Sequence, residues 1–239
     1  GLHRLMRAGE EAEKKNLKIA AGLQCRHSVN RLERIKRIRE GELGQTEPAG
    51  FSTLRSRLGQ TNLEVVERFR LGADELRPGS DVLAILGPKT PFTAAESTAL
   101  RSHLDHGGAV LVMLDPATRS GLEPLLDEYG VAAGDNFVVD LSGLGQVIGA
   151  DVSVPVVLNY GTHAITEKIG QGVMSFFPLA RSVAAGGSSS HDPQVTPLAL
   201  THRSSWGESD LSPIAGGGGQ VRFDEGLDTR GPLSLAVAA

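Results

Sequence analysis

The pattern of apolar and polar residues is clearest between residues 81 and 114. Two short apolar runs, residues 81–86 (DVLAIL) and 109–114 (AVLVML), are bounded by turn residues, as expected of strands covered on both faces. Between them, Thr93 and Glu96 have the spacing of a helix capping box, and Gly107 stands where that helix would end. The order of strand, helix and strand predicts a βαβ unit with parallel strands.

The pattern predicts further elements on both sides of this unit. Residues 51–62 predict a helix, residues 120–130 (SGLEPLLDEYG) a second amphipathic helix, and residues 136–140 (NFVVD) a strand. From residue 146 onward the segments are rich in Val, Gly and Pro and alternate as β-strands do. The sequence therefore predicts an α/β N-terminal half followed by a strand-rich C-terminal half.

Charge separates the first forty residues from the rest. Residues 1–40 carry a formal charge of +6, whereas residues 41–239 carry −10. Such a basic segment either binds nucleic acid or anionic lipid, or is a solvated helix or linker. The second interpretation is favoured, because no aromatic residues are interleaved for base stacking. We predict a basic N-terminal segment at 1–40, either helical or a linker, a single α/β domain at 41–239, and no nucleic-acid partner.

Composition limits the remaining classes of protein. Apolar residues make up 40% of the 239 residues, which is enough to bury a core. No apolar run reaches the roughly 18–20 residues that cross a bilayer. The single cysteine, Cys25, excludes an internal disulfide and a cysteine-rich zinc site.

The turn after the first apolar run, Gly87-Pro88-Lys89, is where α/β proteins often bind phosphate. A P-loop needs two glycines and a following Lys-Ser/Thr, so that backbone N–H groups surround the phosphates. Here there is one glycine, and Pro88 has no N–H to donate. Lys89 remains as a single charge near a helix N-terminus.

Other combinations of reactive residues also lack an essential part. His103 and His106 have part of a metal-ligand spacing, but no further ligands accompany them. Residues 190–192 (SHD) are adjacent, whereas the members of a catalytic triad converge from separate elements. We therefore predict no catalytic residue, no cofactor and no metal, and we expect that the protein is not an enzyme.

Two alternatives stay open for a binding surface. Tyr160, His163 and Trp206 lie on strand-rich segments, where they form either a pocket or partner surface, or contacts that hold long loops in place. A different hypothesis is a small-molecule-binding or hydrolytic α/β domain that uses the crevice at the carboxyl ends of the strands. In that case Asp81, Gly87, Asp115 and Tyr160 would converge there.

An ordered set of motifs resembles the auxiliary components of gliding-motility-type ABC transporters, the GldG-like family. The longest is residues 81–116 (DVLAILGPKTPFTAAESTALRSHLDHGGAVLVMLDP). It is followed in order by LLDEYGV, NYGTHAIT, FFPLARSV, SWGESD and DTRGPLSLAVA, so that the resemblance covers residues 41–239. One departure is the family's Gly-His-Gly-Glu, of which only Gly41 and Glu42 are present.

The resemblance implies a fold and a location. The fold would be a parallel-sheet three-layer α/β sandwich, glutamine-amidotransferase-like or flavodoxin-like, without a catalytic cysteine and with a strand-rich C-terminal half. The domain would be extracytoplasmic (periplasmic), and transmembrane helices outside this sequence would tether it to the cell membrane. Its partners would be the permease and ATPase subunits of an ABC transporter, or other membrane-assembly proteins.

The candidate ligand or partner surface combines residues on these motifs with the lysine of the Gly87 turn. It consists of Gly87, Lys89, Asp115, Tyr160, His163, Trp206 and Glu208.

Overall fold

A computed structural model describes most of the chain after residue 80. The described residues are 19–21, 58–60, 64–66, 69, 71–72, 74, 76–77, 81–147, 149–169, 172–186, 194–214 and 221–239. Predictions for the basic segment other than 19–21, for the 51–62 helix other than 58–60, and for residues 190–192 lie outside these ranges.

The described residues form three helices and thirteen strands, labelled in chain order. The helices are α1 (Ala94–Asp105), α2 (Glu123–Glu128) and α3 (Leu144–Val147). The first strands are β1 (Ile19–Ala21), β2 (Val82–Leu86), β3 (Ala109–Met113), β4 (Val131–Ala133), β5 (Phe137–Asp140), β6 (Val156–Val157) and β7 (Asn159–Tyr160). The remaining strands are β8 (Met174–Phe176), β9 (Val183–Ala185), β10 (Thr196–Leu200), β11 (Ser205–Glu208), β12 (Thr229–Arg230) and β13 (Ser234–Ala238).

The chain divides into two compact units. One contains residues 1–21 and 75–239, and with them every numbered element; the other contains residues 22–74. In the second unit, Leu71 and Asp74 form an isolated parallel β-bridge. The boundary at residue 40 stays a prediction.

The predicted βαβ unit is confirmed. Strands β2 and β3 are parallel, in a register that runs from Val82 opposite Ala109 to Leu86 opposite Met113. Helix α1 connects them and begins at the predicted capping box, in which Thr93 accepts from the Glu96 N–H and Glu96 accepts from the Thr93 N–H. Each side chain thus satisfies a backbone donor at the start of α1.

The two faces of the β2–β3 pair differ in exposure. Ile85 is buried on the inner face, and α1 buries Leu100 and His103. The alternate residues form the outer face, on which Val82 is 67%, Leu111 44% and Met113 37% exposed. Ala84, Leu86 and Ala109 complete this outer face, which is entirely apolar.

Most of the strand pairings are antiparallel. Among the described residues, six of the eight pairings are antiparallel, and β2–β3 and β1–β8 are parallel. The strands form three-stranded sheets in the orders β1-β8-β6, β13-β10-β7 and β12-β11-β5, and the two-stranded pairs β2-β3 and β4-β9.

The predicted parallel-sheet three-layer α/β sandwich is therefore wrong. A parallel connection needs a crossover of about a dozen or more residues, usually a helix. Helix α1 has 12 residues and serves this purpose, but α2 has six and α3 four. The strands expected after residue 146 are present, but apart from the parallel pairing of β8 with β1 they pair in antiparallel directions instead of extending the β2–β3 arrangement.

A hydrophobic core cluster lies on the antiparallel sheet β12-β11-β5. Phe137 and Val139 of β5 are 1% and 0% exposed, and Trp206 of β11 is 7% exposed. The partly buried residues packed against them are Val152, Leu179, Leu211, Ile214, Val221 and Phe223. None of the helices in the described ranges is both long enough and apolar enough to cross a membrane.

Candidate functional site

The turn after β2 and the end of β3 meet at one edge of the parallel pair. Gly87 has φ +59 and donates its N–H to the Met113 carbonyl over 2.8 Å, which closes the end of the two strands. Beside it, the Lys89 ammonium forms an ion pair with the Asp115 carboxylate. The structure therefore brings three of the predicted surface residues, Gly87, Lys89 and Asp115, to this carboxyl-end edge.

The loop after β3 is fastened to the loop before α1. Phe92 donates its N–H to the Ser120 carbonyl over 2.8 Å. Both the N–H and the hydroxyl of Ser120 donate to Glu123 Oε1, at 3.2 and 3.1 Å, and the Leu122 N–H donates to Ser120 Oγ at 3.1 Å. These bonds satisfy the backbone N–H groups of Ser120 and Leu122, just before α2 begins at Glu123.

The Glu123 carboxylate is stabilised in its charged form. Burial acts to raise its pKa, but hydrogen bonds from its own N–H and from Ser120, together with the charge of Arg181, lower the pKa below its usual value. The lowered pKa of Glu123 therefore results from these hydrogen bonds and from the ion pair with Arg181.

Arg181 is a buried cation at the same edge. Its Nε donates to the Gly134 carbonyl over 2.6 Å, and its Nη1 lies 3.8 Å from Glu123 Oε1. Nη1 also donates to the Thr118 carbonyl, and Nη2 donates to the Ala133 carbonyl, each over 3.5 Å. Arg181 thus connects the loop after β3 with the end of β4.

Ser120, Glu123 and Arg181 were not predicted from the sequence, for different reasons. Ser120 and Glu123 have the Ser-x-x-Glu spacing that marks a helix start, so that a recognisable signal was present. Arg181 had no such signal, because its partners Thr118 and Gly134 lie 63 and 47 residues away.

The polar groups at this edge are bonded mainly to one another. Lys89 is paired with Asp115, Thr93 with Glu96, and Ser120 with Glu123. Ala117, just after β3, has a left-handed backbone with φ +55, a conformation that costs about 1–2 kcal/mol in a non-glycine residue. Among the residues that the structure describes, no group of three or more His, Cys, Asp or Glu could hold a metal ion. The bonds at this edge hold the loop before α1 and the loop after β3 in position.

Tyr160 and His163 lie in and just after β7, in the sheet β13-β10-β7. The Tyr160 hydroxyl is 2.6 Å from the Ser175 hydroxyl and donates to the Val157 carbonyl at 3.3 Å. His163 Nδ1 accepts from the Ile165 N–H at 3.1 Å. Both side chains thus form hydrogen bonds within the described part of the chain.

Trp206 and Glu208 belong to the buried face of β11. Trp206 Nε1 donates to Glu208 Oε2 at 3.3 Å, and Glu208, which is 3% exposed, accepts from the Asp210 N–H at 3.0 Å. Phe223 packs edge-on against Trp206 with 6.2 Å between ring centroids, and the Arg230 guanidinium lies 4.2 Å from the centre of the Phe223 ring. These two predicted surface residues are thus part of the core.

The seven predicted surface residues therefore lie on or beside three different sheets. Asp81, which the alternative hypothesis placed with Gly87, precedes β2, whereas Gly87 follows it. Asp81 instead accepts bonds from the backbone and guanidinium of Arg77, and these bonds lower its pKa.

Comparison with known proteins supports both the fold and the motif resemblance. The solved structure described as "mmIFT52 N-terminal domain" superposes with a TM-score of 0.50 at 21% identity, over 64% of this chain and 71% of that chain. This structural similarity shows that the two chains share a fold over the superposed residues.

A mouse (Mus musculus) protein, "Intraflagellar transport protein 52 homolog", is 33% identical over 98 residues, which are 39% of this chain and 23% of that protein. The chain thus matches about a quarter of the length of this curated relative.

The model of one protein family matches residues 40–239, which is most of the chain. The family is described as an ABC-type uncharacterized transport system, and the match confirms the resemblance to auxiliary components of ABC transporters. The chain belongs to this family of ABC-type transport system proteins.

Proposed function

We propose that this chain is a non-catalytic auxiliary domain of a membrane transport system and that it works by binding protein partners. The family match over residues 40–239 is the observation that carries the proposal. The non-catalytic part is supported by the carboxyl-end edge of β2 and β3. There, the ion pair of Lys89 with Asp115 and the hydrogen bonds from Ser120 to Glu123 stabilise loops.

The proposal extends to the type of system, its partners and its location. The system is of the gliding-motility type, and the partners are the permease and ATPase subunits of an ABC transporter or other membrane-assembly proteins. The domain lies outside the cytoplasm and is held at the membrane by helices that are not among residues 1–239. The ordered motifs from residue 81 to the C-terminus support this extension.

A second candidate is a subunit of an intraflagellar transport assembly. The 33% identity with the mouse intraflagellar transport protein favours it, and the likeness of fold is compatible with it. Both candidates share a role in binding partners within a transport assembly, and they differ in which partners are bound.

The small-molecule or hydrolytic alternative has weaker support. It requires Asp81, Gly87, Asp115 and Tyr160 to converge. Asp81 and Gly87 are instead at opposite ends of β2, and Tyr160 belongs to the sheet with β10. We therefore do not propose it.

Partner capture distinguishes the two candidates. The full-length protein, tagged and expressed at its native level, is crosslinked in its own cells, purified and analysed by mass spectrometry. We expect ABC permease or ATPase subunits to be enriched over a matched Phe137→Ala sample, in which the loss of a core side chain disrupts the domain. Enrichment of intraflagellar transport subunits favours the second candidate, and recovery of only soluble metabolic enzymes contradicts both.

Location is tested separately by cysteine labelling in intact cells. In a Cys25→Ser background, Asp135→Cys places a thiol at an exposed position, and Val139→Cys places one at a position that is 0% exposed. We expect a membrane-impermeant maleimide to label Asp135→Cys in intact cells and to leave Val139→Cys unlabelled. Labelling of Asp135→Cys only after lysis would contradict an extracytoplasmic domain.

A further inference from the structure

We draw no further inference here: the strongest candidate, the apolar outer face of the β2–β3 pair formed by Val82, Ala84, Leu86, Ala109, Leu111 and Met113, carries none because nothing in the described ranges of the chain shows what covers it.

Discussion

The βαβ unit, residues 82–113, and the antiparallel core around Phe137 are stabilised by contacts over different distances along the chain. In the βαβ unit, Thr93 caps α1 through Glu96, three residues away. In the antiparallel region, Asn136 bonds to the Ser182 backbone and hydroxyl, 46 residues away. The βαβ unit is therefore specified by neighbouring residues, whereas the antiparallel region depends on pairings that form only when distant segments meet.

The two regions also differ in how they bury apolar groups. Phe137 and Val139 in the antiparallel core are almost fully buried, whereas Val82 and Leu111 on the outer face of the parallel pair are largely exposed. Because hydrophobic stabilisation scales with the area removed from water, Phe137 and Val139 each contribute more of it than Val82 or Leu111 does. The outer face of the parallel pair thus contributes little hydrophobic stabilisation, although its strands have the clearest sequence pattern.

The largest expected effect is that of Phe137→Ala. Removing a ring that is 1% exposed should lower the free energy of unfolding by about 3–5 kcal/mol. The matched change Val82→Ala, at a side chain 67% exposed, should stay within about 0.5 kcal/mol. Urea unfolding can be followed by the fluorescence of Trp206, the single tryptophan, which packs in the same core. An equal decrease in the free energy of unfolding in the two variants would contradict the difference in burial between Phe137 and Val82.

Gly108→Ala should be the next most disruptive change, and it tests packing inside the βαβ unit. A Cβ at residue 108 would lie 2.3 Å from ring atoms of His103, an overlap that we expect to cost about 1–3 kcal/mol.

The control for this packing test is a double-mutant cycle. In a His103→Ala background the cost of Gly108→Ala should fall, because the ring that it overlaps is gone. Gly107→Ala, where φ is +80 and the added Cβ meets no atom within 4 Å, should cost the same in both backgrounds. An unchanged cost of Gly108→Ala in the His103→Ala background would show that the ring is not the cause.

Thr93→Ala should have a smaller effect, one confined to the βαβ unit. Loss of the cap should lower the free energy of opening the first turn of α1 by about 1 kcal/mol. Thr93→Ser keeps the hydroxyl and should change this free energy little. Native-state hydrogen exchange should show faster exchange of the first-turn amides of α1 and unchanged exchange at Val139. Equally faster exchange at Val139 would mean that the two regions unfold together.

The smallest effect concerns the link between α1 and α2, and it appears only in alkali. Burial, together with the hydrogen bond that Tyr129 donates to Asp105 over 2.9 Å and the charge of that carboxylate, raises the pKa of Tyr129 to about 12. Because the folded-state pKa is raised, this stabilisation is complete below about pH 10 and is lost as the pH rises towards 12.

The measurement for Tyr129 is the difference in absorbance at the tyrosinate band between the native protein and Tyr129→Phe. The difference should rise near pH 12 in the folded protein and near pH 10 in urea. A rise near pH 10 while circular dichroism still reports a folded chain would show that the bond to Asp105 is not maintained.

The sequence was sufficient for the βαβ unit because its signals are local. The spacing of Thr93 and Glu96 marks the start of α1, Gly107 marks its end, and two apolar runs mark the strands. These signals do not specify what the remaining strands pair with. The parallel three-layer sandwich that the resemblance implied was wrong, and the sequence could not correct it, because short strands joined by loops carry no local mark of direction.

The candidate surface was predictable only in part, for a similar reason. Lys89 and Asp115 meet because parallel strands end at the same edge, which follows from the βαβ unit. The burial of Trp206 and Glu208 depends on β11 pairing with β5, whose Val139 lies opposite Trp206. Nothing near residues 206–208 in the sequence indicates that partner.

The contact between the His103 ring and the backbone at Gly108 has a consequence for the evolution of the family. A chain with an imidazole at the first position has no room for a side chain at the second, so the two sites should vary as a pair across relatives. Glycine should be retained wherever the ring is present, and larger residues should occur only beside a smaller partner. The Gly-Gly pair would then record two separate selections: a left-handed φ at residue 107, and empty space at residue 108.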